Sequence, residues 1–151
     1  GKIGIDEKIL NKTGKLDIEE RKEMERHPEA GWRILSSSSE FAKLAKFILH
    51  HHERWDGEGY PYRLRGEEIP LAGRLMAIVD GYDAMISKRI YKEAAPHQEV
   101  VETIRKGRGT LFDPTLVDAF LEIQDEFHAI ALRFLDDKKE QLGSHVGVRS
   151  L

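Results

Sequence analysis

Leu71 to Ile86 is the segment that most limits what this chain can become. It is close to apolar all round, and a helix without a polar face has to lie at the centre of a fold. It nevertheless carries Asp80 and Asp83, three residues apart and roughly on one face. A buried carboxylate is costly unless it is paired or binds a metal, so the pair is informative. Asp80 stands evenly between a helix-packing hydrogen bond and ligation, and Asp83 reads as structural. Gly81 costs about 1 kcal/mol of helix propensity, which suits a position of close packing.

The other segments supply helices to surround it. Asp17 with Glu20 three residues on forms a capping-box pattern, and Met24, His27, Ala30, Gly31, Ile34 and Leu35 follow at helical spacing. Pro28 falls inside that pattern, so a break is expected beside His27. Ser37 with Glu40 is read as the cap of the next helix, whose inward stripe is Phe41, Leu44, Ala45 and Ile48, ending in His51 and His52. A helix from His97 to Lys106 is stopped by Gly107, and another runs from Pro114 to about Leu135 behind the start signal Asp113-Pro114. No alternating segment or internal repeat is present, so the chain reads as all-α. Residues 1–135 form one domain and 136–151 a polar tail expected to fray.

His50, His51 and His52 close the apolar stripe, and a glycine-rich loop with Trp55, Tyr60 and Tyr62 follows from Glu53 to Pro70. A loop of this length in a compact domain is functional or disordered, and its aromatics favour function. Adjacent imidazoles at an inward helix end, followed by Glu53 and Asp56, point to metal or catalytic use. His50 lies off the stripe beside Lys43, Lys46 and Phe47 and reads as a bystander. His27 alone reads either as a core imidazole or as a ligand. Arg89 and Lys92, just past the Asp80 helix, are either solvated charge or a phosphate grip. Trp55, Tyr62 and the run Phe112-Asp113-Pro114 read as packing and structure.

Composition narrows the chemistry. The 151 residues contain no cysteine, which removes disulfides, iron–sulfur clusters and thiolate zinc sites. Any metal is left to imidazole and carboxylate, a ligand set that suits iron, manganese or zinc. A net charge of −3 argues against a DNA-binding surface, and no run is long enough to span a bilayer.

Here the residues match a family. His51-His52-Glu53-x-x-Asp56-Gly57-x-Gly59-Tyr60-Pro61 resembles the signature loop of HD-GYP domains, a branch of the HD phosphohydrolase superfamily. The likeness runs in order from Gly1-Lys2-Ile3-Gly4 through His27-Pro28-Glu29, Ile69-Pro70-Leu71-Ala72 and Asp80-x-Tyr82-Asp83-Ala84. It continues through Arg89-x-Tyr91 to Gly109-Thr110-x-Phe112-Asp113-Pro114, covering about residues 1–130. It implies an HD-domain helical bundle around a di- or trinuclear iron or manganese centre, hydrolysing the bacterial messenger cyclic di-GMP to pGpG or GMP. By position, His27, His51, His52 and Asp80 match the family's metal ligands. Lys2 matches the catalytic lysine beside the scissile phosphate, and Tyr60, Arg89 and Lys92 match positions that contact nucleotide.

The family's His-Asp pair would stand immediately before Gly1, and the chain opens without an initiator Met inside a hydrophobic stretch. It is therefore read as the cut edge of a longer polypeptide, expected to bind metal poorly and to be nearly inactive alone. Two other functions stay open. One is an HD phosphohydrolase for another nucleotide; the other is a non-catalytic module that binds cyclic di-GMP or a signalling partner such as a cyclase-domain protein. A sensory or receiver domain on the N-terminal side, a cytoplasmic location and a possible homodimer complete the expectations.

Overall fold

The computed structural model describes residues 1–87 and 95–146, with side chains as far as residue 134. Among the described residues there is no strand, only an isolated bridge between Arg108 and Phe112, and the all-α expectation holds. The helices are α1 (Glu7–Leu10), α2 (Ile18–Met24), α3 (His27–Ser36), α4 (Ala42–His50), α5 (Leu71–Ile86), α6 (His97–Lys106) and α7 (Pro114–Val146). None of them is long and apolar enough to cross a membrane.

Local signals set most boundaries. Asp17 Oδ1 accepts from the amides of Glu19 and Glu20, each at 2.9 Å, while Glu20 Oε2 accepts from the Asp17 amide at 2.8 Å. These bonds satisfy donors that the first turn of a helix otherwise leaves open. The helical run is interrupted between Met24 and His27, and Pro28 sits in the first turn of α3, where its missing N–H costs nothing. At the far end Asp113 Oδ1 caps α7 through the Thr115 amide at 2.8 Å. That helix kinks at Ile123 and continues past Leu135, so the segment expected to fray has helical backbone as far as Val146.

Three expectations are corrected. Ser37 does not cap α4; its hydroxyl donates to the Ile34 carbonyl at 2.7 Å and so finishes α3, and α4 begins at Ala42 without a side-chain cap. The inward face of α4 is Ala45, Leu49 and His50 rather than one headed by Phe41 and Leu44, which are 43% and 51% exposed. His50 is therefore buried, because α5 approaches so closely at Gly73 that a Cβ there would lie 2.5 Å from the His50 Cβ. Nor is α5 enclosed on every side: Leu71, Leu75 and Val79, one helical stripe, face outward.

The core lies at the other end of α5. Ile78, Tyr82 and Ile86 pack with Val100, Val101 and Ile104 of α6, with Phe112 in the turn before α7, and with Val117 and Phe120 at the start of α7. Burying each such side chain contributes about 1.5–3 kcal/mol. Gly81 faces the Phe112 ring, where an added Cβ would come within 3.3 Å. Arg74 and Asp113 pair at 2.6 Å and tie α5 to the head of α7. With α3 on α4 and α4 on α5, the C-terminal end of α4 is held against a fixed frame.

Candidate metal centre

His27 opens α3 directly after the interruption that follows α2, and His51 caps the end of α4. His27 Nδ1 donates to the Met24 carbonyl at 2.7 Å, and His51 Nδ1 donates to the Ile48 carbonyl at 2.6 Å. A carbonyl can only accept, so each neutral ring carries its proton on Nδ1 and presents a lone pair at Nε2. These two Nε2 atoms stand 3.4 Å apart. Two lone pairs facing each other at that distance repel unless a proton or cation is shared between them.

His52 completes a triad. Its ring centroid lies 4.9 Å from that of His27 and 3.9 Å from that of His51, and one ligand atom of each residue falls within 4.8 Å of the others. Burial is the first cause that lowers the affinity of all three rings for protons. For His52, the neighbouring His51 and His27 add to it and bring the pKa down to about 3. The imidazoles are thus neutral near pH 7, the form that ligates metal. Nitrogen donors, carbonyl-anchored Nδ1 atoms and converging lone pairs together fit a metal such as iron, manganese or zinc.

The other expected residues are placed as follows. Asp80 is half-buried on α5; its charge acts on His51 and on Tyr60, but it lies outside the tight group of three. Lys2 is exposed on the short 3-10 turn Lys2–Gly4, and its positive charge is felt by all three imidazoles. The Tyr60 ring lies over His52 with centroids 4.8 Å apart, and burial pushes its hydroxyl pKa up. Arg89 and Lys92 lie outside the described residues.

The loop reaches the triad because Gly59 crosses the end of α4 at close range. A Cβ on Gly59 would stand 2.6 Å from the His52 carbonyl oxygen, and the Tyr60 amide donates to that oxygen at 3.2 Å. The outer part of the loop is clasped by the turn before α7: the Trp55 amide donates to Leu111 O at 3.3 Å and the Asp56 amide to Thr110 O at 2.9 Å. Glu53 and Asp56, weighed from sequence alongside the histidines, do not join them. Asp56 accepts from Arg54 Nε at 3.0 Å and from the Glu58 amide at 3.0 Å. Glu53, only 3% exposed, accepts from the amides of Tyr62 and Leu64 at 2.8 and 3.1 Å. Burial raises the Glu53 pKa, while those bonds lower it. Sequence reasoning also missed the Arg74–Asp113 pair; an arginine within an otherwise apolar helix was the available signal.

Residues 1–116 match the family described as HD domain. The chain belongs to that family. This HD domain is 48% identical over 143 residues to a Vibrio cholerae protein named "Cyclic di-GMP phosphodiesterase", covering 90% of this chain and 29% of that protein. It is 45% identical over 132 residues to the V. cholerae "3'3'-cGAMP-specific phosphodiesterase 2", covering 86% of this chain and 25% of the relative. A solved cyclic GMP-AMP specific phosphodiesterase of V. cholerae, V-cGAP3, shares the fold with a TM-score of 0.52 at 19% identity, covering 85% of this chain and 35% of its own. The chain therefore spans between a quarter and about a third of the length of these proteins. The HD-GYP resemblance of the sequence stands with these findings.

Proposed function

We propose that this HD domain is the catalytic unit of a metal-dependent phosphodiesterase that opens cyclic di-GMP to pGpG or GMP in bacterial signalling. The observation that carries the reading is the pair of carbonyl-anchored imidazoles, His27 and His51, with Nε2 atoms 3.4 Å apart inside a family-matched segment. His27, His51 and His52 would hold a di- or trinuclear iron or manganese centre, with Asp80 adding a carboxylate from α5. When bound, such a centre supplies Lewis acidity for a phosphodiester and lowers the pKa of water. Lys2 brings an ammonium to the phosphate oxygens. Tyr60, and by resemblance Arg89 and Lys92, would bind the dinucleotide, the tyrosine as a ring wall and the two cations through its phosphates. The protein works in the cytoplasm behind a sensory or receiver domain, and a cyclase-domain protein or a second copy of the chain are its further partners.

A second substrate is favoured by one observation, the similarity to a 3'3'-cGAMP-specific enzyme at nearly the same identity. The test runs this chain beside a version carrying an upstream segment with the His-Asp pair that the resemblance calls for. Both are incubated anaerobically with Mn²⁺ or Fe²⁺ and either cyclic di-GMP or 3'3'-cGAMP, with His51→Ala as the control. Linear product from the parent and none from the variant supports the reading, and the preferred dinucleotide decides the substrate. Binding without turnover in both versions replaces it with a regulatory binding module.

A further inference from the structure

Glu53 follows a ligand histidine directly, yet its side chain turns away from the triad and is almost wholly enclosed by the loop. Its two oxygens each take a backbone amide, Tyr62 on Oε1 and Leu64 on Oε2, and the Arg63 amide also faces the carboxyl group. Arg63 lies at φ 55°, in the left-handed region that non-glycine residues rarely adopt. Successive amides bent through such a residue form a concave nest for an anion, and here the anion is the chain's own glutamate. The carboxylate thus gives the amides of residues 62–64 a common acceptor within the loop.

The nest begins two residues beyond Tyr60. The Tyr60 amide is already bonded to the carbonyl of His52, so residues 52–53 hold the loop at two successive points. Between those points the chain has little freedom, and the Tyr60 ring is left over the His52 ring.

We propose that Glu53 is a positioning residue: by folding residues 62–64 around its carboxyl group it fixes Tyr60 as a wall of the phosphodiester site. The part played by Tyr60 rests on the function proposed above; the folding of the loop around Glu53 does not. Two measurements separate them. The first is amide hydrogen exchange of the intact chain and of Glu53→Gln and Glu53→Ala. Glutamine keeps the size but sets an NH₂ against an amide donor. Exchange over residues 60–65 accelerates by roughly tenfold or more, as expected when bonds to a charged acceptor are lost, while residues 42–50 of α4 stay protected. Unchanged exchange in the loop overturns the proposal, and so does equal loss of protection in α4, which would make Glu53 a general fold residue.

The second measurement is kinetic, on the version with the His-Asp pair. Glu53→Gln and Tyr60→Ala each raise KM for cyclic di-GMP by roughly tenfold with kcat and bound Mn²⁺ little changed, and the double variant is no worse than either. Losses that multiply in the double variant, or loss of Mn²⁺ from Glu53→Gln, overturn it. Absence of turnover in the parent instead overturns the proposed function, and hydrogen exchange then decides the role of Glu53 by itself.

Discussion

His27 Nε2 and His51 Nε2 face each other across 3.4 Å, while the Nδ1 of each ring is committed to a carbonyl of the preceding turn. The two residues are 24 positions apart and belong to different helices. Each carbonyl fixes a tautomer, and the two tautomers together turn two lone pairs toward each other, a geometry that suits a shared proton or cation.

Removing one side of that pair should remove metal. His51→Ala is expected to lower Mn²⁺ or Fe²⁺ affinity by at least the roughly 10- to 100-fold that loss of a mere orienting partner costs. Metal titration with calorimetry, beside circular dichroism to establish that the helices persist, checks this. Stoichiometric metal on the variant at parental affinity would remove His51 from the ligand set.

Acid should destabilise the metal-free chain through the same residues. His27, His51 and His52 bind protons more weakly in the fold than in the unfolded chain, where the imidazole value is 6.5; for His52 the folded value is about 3. Between those limits the unfolded state holds more protons, so stability rises with pH. The contribution is fully present above about pH 6.5 and is lost as pH falls from there toward 3. Urea unfolding at pH 7 and at pH 5, with chelator present, should show a lower midpoint at pH 5. In the histidine-to-alanine triple variant that difference should shrink.

Breaking the Arg74–Asp113 pair should cost more than a surface ion pair does. Asp113 is 4% exposed, and Arg74 also lies over the Trp55 ring, 5.9 Å from its centroid. Arg74→Ala leaves a buried carboxylate with its Thr115 amide alone, and is expected to cost about 3 kcal/mol by denaturant titration. A loss below about 1 kcal/mol would be that of an exposed pair and would contradict the burial.

Gly73→Ala tests the contact of α4 with α5. Helix propensity by itself favours alanine by about 1 kcal/mol. The added Cβ would meet the His50 Cβ at 2.5 Å and the His50 carbonyl oxygen at 3.0 Å, so the helices must part. Overpacking of this kind costs about 1–3 kcal/mol, and a backbone-near contact as short as this one belongs at the upper end, above the propensity gain. A melting temperature below the parent's is expected, and a rise would show that α4 yields freely.

Some of this was legible residue by residue. The Asp17–Glu20 cap, the break at Pro28, the stop at Gly107 and the start at Asp113-Pro114 all appear where the sequence put them, because caps and backbone exclusions act within one turn. His51 and His52 do come together in space, as their adjacency suggested, although the stripe they were read to close turns another face inward. His27 was ambiguous alone, because its value depends on a helix that starts 15 residues later.

The sequence by itself determined the all-α class, most helix ends and the absence of thiolate ligands, since periodicity, capping and residue type are properties of short segments. Tertiary structure decided which face of α4 turns inward, leaving Phe41 and Leu44 outside and His50 within. It also set the facing tautomers of His27 and His51, and it sent Glu53 to the loop amides instead of the triad. The reason is the same in each case. A helix can bury any of several faces, and a carboxylate can serve any donor within reach; only the approach of α3, α5 and the returning loop selects one.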